Sequence, residues 1–239
     1  MYQGNPTPNT GTILLKEWWR FYDQVLWTQA PDGTFRVRGY DLSQSWDMTF
    51  KDTKGTDYVT CGLWAKKGAD SFLIYLLRAR LDFPSTIDAF KRVTRLFPQA
   101  RRKFVEDKAN GPAVISSLKH EIPGIVAIKV SDSKTARADA VTPYLRAGNF
   151  HLPSREVVNA SPTLTFDVEA FISECTSFPY GAHDDQVDQF TQYANEVYLK
   201  HGKGSVSSPV GRSPRGNVPS GVVLSPMQQR LAAKRGTNE

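Results

Sequence analysis

The sequence predicts an α/β fold, a mixed central sheet flanked by helices, and three observations carry that prediction. Two β-rich runs, DYVTCGLWA and SFLIYLLRARL, stand either side of a KKGAD turn and read as a hairpin. Behind them, short apolar runs alternate with helical patterns: KFVED, GIVAIKV and NFHLP are each followed by a helical segment. The length, 239 residues, suits one layered domain with extensions or two small ones.

Taken in order, residues 1–33 are rich in Pro, Gly, Asn and Thr around the aromatic patch LLKEWWRFYD, and read as a linker-like segment. Trp18, Trp19 and Phe21 in that patch suit core packing, or stacking on bases. Regular structure is expected from residue 34 to residue 200. Arg36 to Asp47 reads as a strand ending in WD, followed by the polar loop KDTKGT and the hairpin. Ser85 with Asp88 resembles a capping box, and the helix behind it sets Ile87, Phe90, Val93 and Phe97 on one face before Pro98. After the KFVED strand, Pro112 suits the first turn of a helix running through Leu118. The spacing then predicts a strand over Gly124 to Val130, a helix from Lys134 to Arg146 and the short strand NFHLP. Helices over about Phe166 to Ser177 and Asp184 to Lys200 close the core. Residues 201–239, rich in Gly, Ser, Pro and Arg, cannot bury a core and read as a disordered basic tail.

That tail holds most of the charge. Lys203, Arg212, Arg215, Arg230, Lys234 and Arg235 against Glu239 make +5 of the net +6, so the body is close to neutral. A basic tail holds polyanions without sequence preference, and it also serves solubility. Cys61 and Cys175 have no ligand-type spacing and read as buried thiols of a reducing compartment. No run approaches the roughly 20 apolar residues of a membrane span, and the N-terminus lacks a secretory pattern.

The chemistry suggested by the residues lies in the acids. In the last helix, at about 100° per residue, Val187, Phe190, Ala194, Val197 and Tyr198 share a stripe. Asp184 and Asp188 project together beside it, and Asp185 points further towards solvent. A capped, solvated N-terminal acidic turn has the same spacing. Asp47 ends one strand, and Glu106 and Asp107 end another in the run VEDKANG. Hard divalent cations take carboxylate oxygens from such scattered elements, and two ions a few ångströms apart promote phosphodiester cleavage.

The runs QSWDMTFKDTKGTDYVTCGLW, KFVEDKANGPAVISSLKHEIPGIVAIKV and FPYGAHDDQVDQFTQY resemble the C-terminal nuclease domain of phage large terminase subunits, in the same order and over residues 10–200. The resemblance implies an RNase H-like fold. It also implies a nuclease that cuts concatemeric double-stranded DNA during genome packaging with two Mg²⁺ or Mn²⁺ ions. It places the family's first acid at Asp47, the second at Glu106 with Asp107 as second choice, and the third within HDDQVD, at Asp184, Asp185 or Asp188; the helical face favours Asp184 supported by Asp188. Asp57 could hold a water or second metal, or be an ordinary loop residue; His183 could touch the site or cap the turn. Lys134 and Arg137 match a basic position suited to DNA phosphates, or a solvated helix face. Implied partners are duplex DNA, a terminase ATPase domain, the small subunit and the portal, in the host cytoplasm and away from membranes. The sequence contains no GxxxxGK[ST] loop, so translocation is expected to be absent, as for a separately encoded, excised or truncated nuclease part. A junction resolvase-type nuclease and a catalytically silent DNA-binding packaging module are the alternatives.

Overall fold

Alternation along the strands decides which residues of this protein face which helices. The computed structural model describes residues 13–48, 58–160, 164 and 166–200. The first strands are β1 (Arg20–Tyr22), β2 (Thr28–Gln29), β3 (Phe35–Arg36) and β4 (Asp41–Met48). The hairpin β5 (Val59–Lys67) and β6 (Asp70–Ala79) follows, then α1 (Phe83–Leu96), β7 (Arg102–Glu106), α2 (Gly111–Leu118) and β8 (Ile125–Ile128). The chain continues through α3 (Lys134–Arg146), β9 (Phe150–Pro153), α4 (Arg155–Asn159), α5 (Val168–Ser177) and α6 (Asp185–Ala194), with π-helical Asn195–Lys200 after it.

Seven strands form one mixed sheet in the order β1-β9-β6-β5-β4-β7-β8. β5 runs antiparallel to β4 and β6, and the other pairings are parallel. Gly68, at φ 61°, supplies the left-handed residue of the hairpin turn. The long strand expected from Arg36 is divided because Gly39, at φ 81°, turns the chain between β3 and β4.

One sheet face is mainly apolar, with buried Gln44 accepting from Trp46 Nε1 at 2.9 Å. Trp46 stacks on Phe90 of α1 at 4.8 Å and Phe35 on Phe97 at 5.4 Å, with Val93, Val105, Val114 and Leu118 in the same cluster. α1 begins earlier than the Ser85 box suggests. Asp82 caps it by accepting from the Ser85 N–H at 2.9 Å, and Pro84 occupies the first turn, where a missing N–H costs no helix bond. The opposite face carries α3, α5 and α6, with Phe171 of α5 and Phe190 of α6 in one cluster with Trp64, Leu73, Phe104 and Phe150 of the strands.

Part of the segment expected to be linker-like belongs to this layer. Leu14 and Trp19 are buried, and Trp19 packs against Phe171 and Phe190 at 5.3 and 5.0 Å. β1 extends the sheet beside β9, Tyr22 Oη donates to the Leu73 carbonyl at 2.6 Å, and Phe21 is exposed. α6 is buried all round from Asp185 to Ala194, including its glutamines, so it runs through the interior of this layer. Cys61 and Cys175 are free and buried. The tail and Asp57 lie outside the described residues.

Candidate active site

β4 and β7 run parallel, and their register ends at Trp46 opposite Val105. One step further, Asp47 and Glu106 are the next rung of the same ladder. Side chains alternate faces along a strand, so Asp47 shares a face with Ser45, whose hydroxyl donates to the Gln189 carbonyl of α6 at 2.7 Å. Glu106 shares a face with Phe104, part of the core on the α6 side. Asp107 falls on the opposite parity, and its N–H extends the ladder to the Ile128 carbonyl at 2.8 Å. Of the VEDKANG pair, Glu106 is therefore the acid on the Asp47 face.

The third element is the start of α6. Asp184 is its N-cap, with φ −140° and ψ 9°, so it stands outside the helical wheel that places Asp185 and Asp188. Asp185, expected to point outward, is only 7% exposed, whereas the Asp184 side chain is 39% exposed. Thr60 on β5, the cross-strand partner of Asp47, donates to the Asp185 carbonyl at 2.9 Å. Asp188 is buried at the next turn, and Gln192 Nε2 reaches Ser45 Oγ, the Trp46 carbonyl and the Phe104 carbonyl at 2.9, 3.2 and 3.3 Å. One glutamine thus ties α6 to both acid-bearing strands.

Two cations of α3 lace the acids together. Lys134 Nζ lies 2.8 Å from Asp184 Oδ2 and 2.6 Å from Asp188 Oδ2, which makes those two acids neighbours as expected. Arg137 donates to Asp188 Oδ1 at 2.9 Å and stands 3.7 Å from Glu106 Oε2. Neither residue presents a plain solvated face: Arg137 is buried, and Lys134 is turned onto the carboxylates. Among the described residues, no three acidic, histidine or cysteine side chains stand as a ready chelate.

The electrostatics follow from burial. It pushes the Asp47 carboxyl well above its ordinary range, and Asp188, Asp185 and Glu106 push it further. Burial also raises Asp188, with Lys134 and Arg137 opposing. Asp185 is pushed up to about 6 by burial and then by Glu174 and Asp184. For Lys134, burial works against the charge, but Asp188 and Asp184 outweigh it and hold the ammonium above its usual range.

Glu174 is a residue beside the candidate site that sequence reasoning missed. It is buried in α5, and its carboxylate accepts the Gln186 N–H at 2.6 Å and Gln186 Nε2 at 2.8 Å, with Arg78 Nε at 3.2 Å. It therefore clamps the first turn of α6, which bears Asp185 and Asp188. Its only sequence signal is an acid beside a buried cysteine in an apolar helix. His183 packs edge-on against Tyr58 at 5.2 Å. At the far end of the sheet, a separate cavity of about 470 Å³ is lined by Asp41, Lys66, Arg102, Tyr144 and Tyr198; its Arg102 is paired with Asp41.

The terminase RNase H-like domain model matches residues 38–196. The large terminase nuclease of thermophilic phage G20c with bound cobalt superposes with a TM-score of 0.54 at 12% identity, over 80% of this chain and 99% of that one. The same nuclease with bound zinc gives 0.53 at 14% identity, over 76% and 95%. The Thermus phage P74-26 large terminase nuclease domain gives 0.50 at 13%, over 76% and 91%. No curated protein matches by sequence. The structural likenesses speak for an RNase H-like fold; the family match, which spans well over half of the residues, establishes that this chain belongs to the terminase RNase H-like domain family.

Proposed function

We propose that the chain is the nuclease part of a phage large terminase, a divalent-metal-dependent endonuclease that cuts concatemeric double-stranded DNA during packaging. The observation that carries this reading is the gathering of Asp47, Glu106, Asp185 and Asp188 at one end of β4, β7 and α6. The donors are all carboxylate oxygens, which suit Mg²⁺ or Mn²⁺. The proton affinity of Asp47, raised by burial and three neighbouring acids, marks a concentration of negative charge that a divalent cation relieves. The G20c nuclease was solved with magnesium, zinc and cobalt, which supports the same use here.

In this reading Asp47, Glu106, Asp185 and Asp188 hold two ions, and Asp184 stands at the rim. When bound, such ions favour ionisation of the attacking water and offset charge on the leaving 3′ oxygen. The protein's own part is to bury and aim the acids. Lys134 and Arg137 favour their ionised forms, Gln192 and Thr60 fix α6 against the strands, and Glu174 fixes its first turn. Affinity for duplex is mainly phosphate-driven and falls with salt. The partners in this role are duplex DNA, a terminase ATPase, the small subunit and the portal, in the host cytoplasm. Among the described residues no helix is long and apolar enough to cross a membrane.

Plasmid nicking in Mn²⁺ or Mg²⁺ tests the reading. Asp47→Asn is expected to lower the rate by more than about 100-fold, since losing even a supporting partner of a metal ligand costs roughly 10–100-fold, while the melting temperature holds or rises. Undiminished cutting by that variant would overturn it. The grip of Lys134 and Arg137 on the acids favours one second reading, a silent DNA-binding packaging module. Calorimetric titration with Mn²⁺ separates the two: no binding that depends on Asp47 supports the silent module.

A further inference from the structure

One cluster on the same sheet face has no part in that chemistry. Tyr58, at the entry to β5, lies beneath two guanidinium groups, with Arg78 Cζ 3.6 Å and Arg80 Cζ 4.7 Å from its ring centroid. The register explains the meeting. Asp47 pairs with Thr60 across β4 and β5, and Thr60 pairs with Arg78 across β5 and β6. Cross-strand partners share a face, so Arg78 stands on the face of the acids, two strand spacings or about 10 Å from Asp47. Arg80 continues the row beyond the end of β6. His183, immediately before Asp184, braces the other side of the cluster by its edge contact with Tyr58.

The charges there are unequally matched. Arg78 is paired with Glu174, whereas Arg80 is exposed and, among the described residues, has no carboxylate within ion-pair range. Two like charges on one ring repel, and an anion between them offsets that cost. Across the site, Lys134 and Arg137 are engaged with Asp184, Asp188 and Glu106. A polyanion entering this acidic end needs positive charge beside the carboxylates, and the β6 rim supplies it. A guanidinium stacked on an aromatic ring keeps its N–H edge free to fork onto phosphate oxygens.

We propose that Arg80 and Tyr58, backed by Arg78, form a backbone-phosphate grip that seats the DNA strand beside the acids; this rests on the nuclease reading. Duplex binding by the full chain, measured in EDTA over a range of salt, tests it without cutting. Arg80→Ala is expected to weaken binding about tenfold and to lower the slope of log affinity against log salt by about 1. Under turnover with Mn²⁺ the same variant raises KM and leaves kcat in place. Arg80→Lys keeps the slope but recovers only part of the affinity, because an ammonium lacks the planar fork. Unchanged affinity and slope in Arg80→Ala would overturn the grip even if Asp47→Asn abolishes cutting. If Asp47→Asn cuts undiminished while Arg80→Ala binds weakly, the phosphate contact stands and the nuclease assignment fails.

Discussion

The two faces of the central sheet share strands and solve different problems. Under α1, Leu42, Trp46 and Met48 of β4 meet Phe90, Val93 and Phe97 through apolar contact. On the other face the same strand presents Ser43, Ser45 and Asp47, and α6 answers with polar groups, Gln192 and the Gln189 carbonyl. Apolar contact is non-directional and stabilises by area. Hydrogen bonds between buried groups fail when an element slides by an ångström, so they set position. Around β4 the first face stabilises by packing, and the second, within its own apolar core, aims the carboxylates.

Truncation on each face sharpens that contrast. Phe90→Ala, fully buried against Trp46, is expected to cost about 3–5 kcal/mol of stability while leaving cleavage per folded molecule near wild type. Glu174→Ala is expected to cost less, about 2–3 kcal/mol, because the partly exposed Arg78 it abandons can turn to water. Its effect on cleavage is the larger, since the first turn of α6 loses its clamp. Chemical denaturation with nicking rates on the folded fraction checks both. Full specific activity in Glu174→Ala would break the division of labour.

A smaller effect is expected at the glycine of VEDKANG. Ala109 takes the left-handed turn, at φ 50°, and Gly111 then opens α2 against the end of β7. A Cβ on Gly111 would stand 1.8 Å from the Glu106 carbonyl oxygen, a backbone atom that yields only if the strand end moves. Gly111→Ala is expected to cost about 1–3 kcal/mol, as overpacking does, and to lower metal-dependent nicking because the displaced residue is Glu106. Melting curves and nicking rates measure the two losses separately.

How much of this was legible in the sequence follows the same divide. The hairpin, KFVED, the helix Lys134–Arg146 and the α1 stripe of Phe90 and Val93 are apolar periodicity, which one chain displays locally. The choice of Glu106 over Asp107 rests on the family resemblance, while the placing of Asp47 and of the Glu106–Asp107 pair at strand ends was readable in the sequence itself. Three features were not. β1 has three residues and becomes a strand only against β9. α6 is buried all round, yet its glutamines look like a solvent face until Ser45, Trp46 and Phe104 supply partners. Asp185 reads as outward because it lies opposite the apolar stripe; it is buried because α6 is covered on that side as well. Each miss is a residue whose setting depends on a distant segment.

The subtlest test uses protons, because the two faces carry carboxyls shifted in opposite directions. Asp82, capping α1, is held below its ordinary range by its bonds to Ser85, so its contribution is present above an unfolded value near 4 and fades as pH falls through the lowered folded value. Asp185 is raised to about 6 from 3.8, chiefly by burial. A raised carboxyl has the opposite sign: its stabilising proton is fully in place below the unfolded value and is lost as pH rises through about 6. Metal-free protein should therefore be more stable at pH 5 than at pH 7, by about 1 kcal/mol from the part of that shift that titrates in this window, and should weaken again below pH 4 as the Asp82 cap protonates. Asp185→Asn is expected to reduce the first change, to which the raised Asp47 and Asp188 carboxyls also contribute, and leave the second; Asp82→Asn is expected to do the reverse. Differential scanning calorimetry in EDTA across that range reads both. A melting temperature that falls steadily from pH 7 to pH 5 would mean that the buried acid at the start of α6 is already ionised and matched, with Lys134 rather than burial governing that end of the sheet.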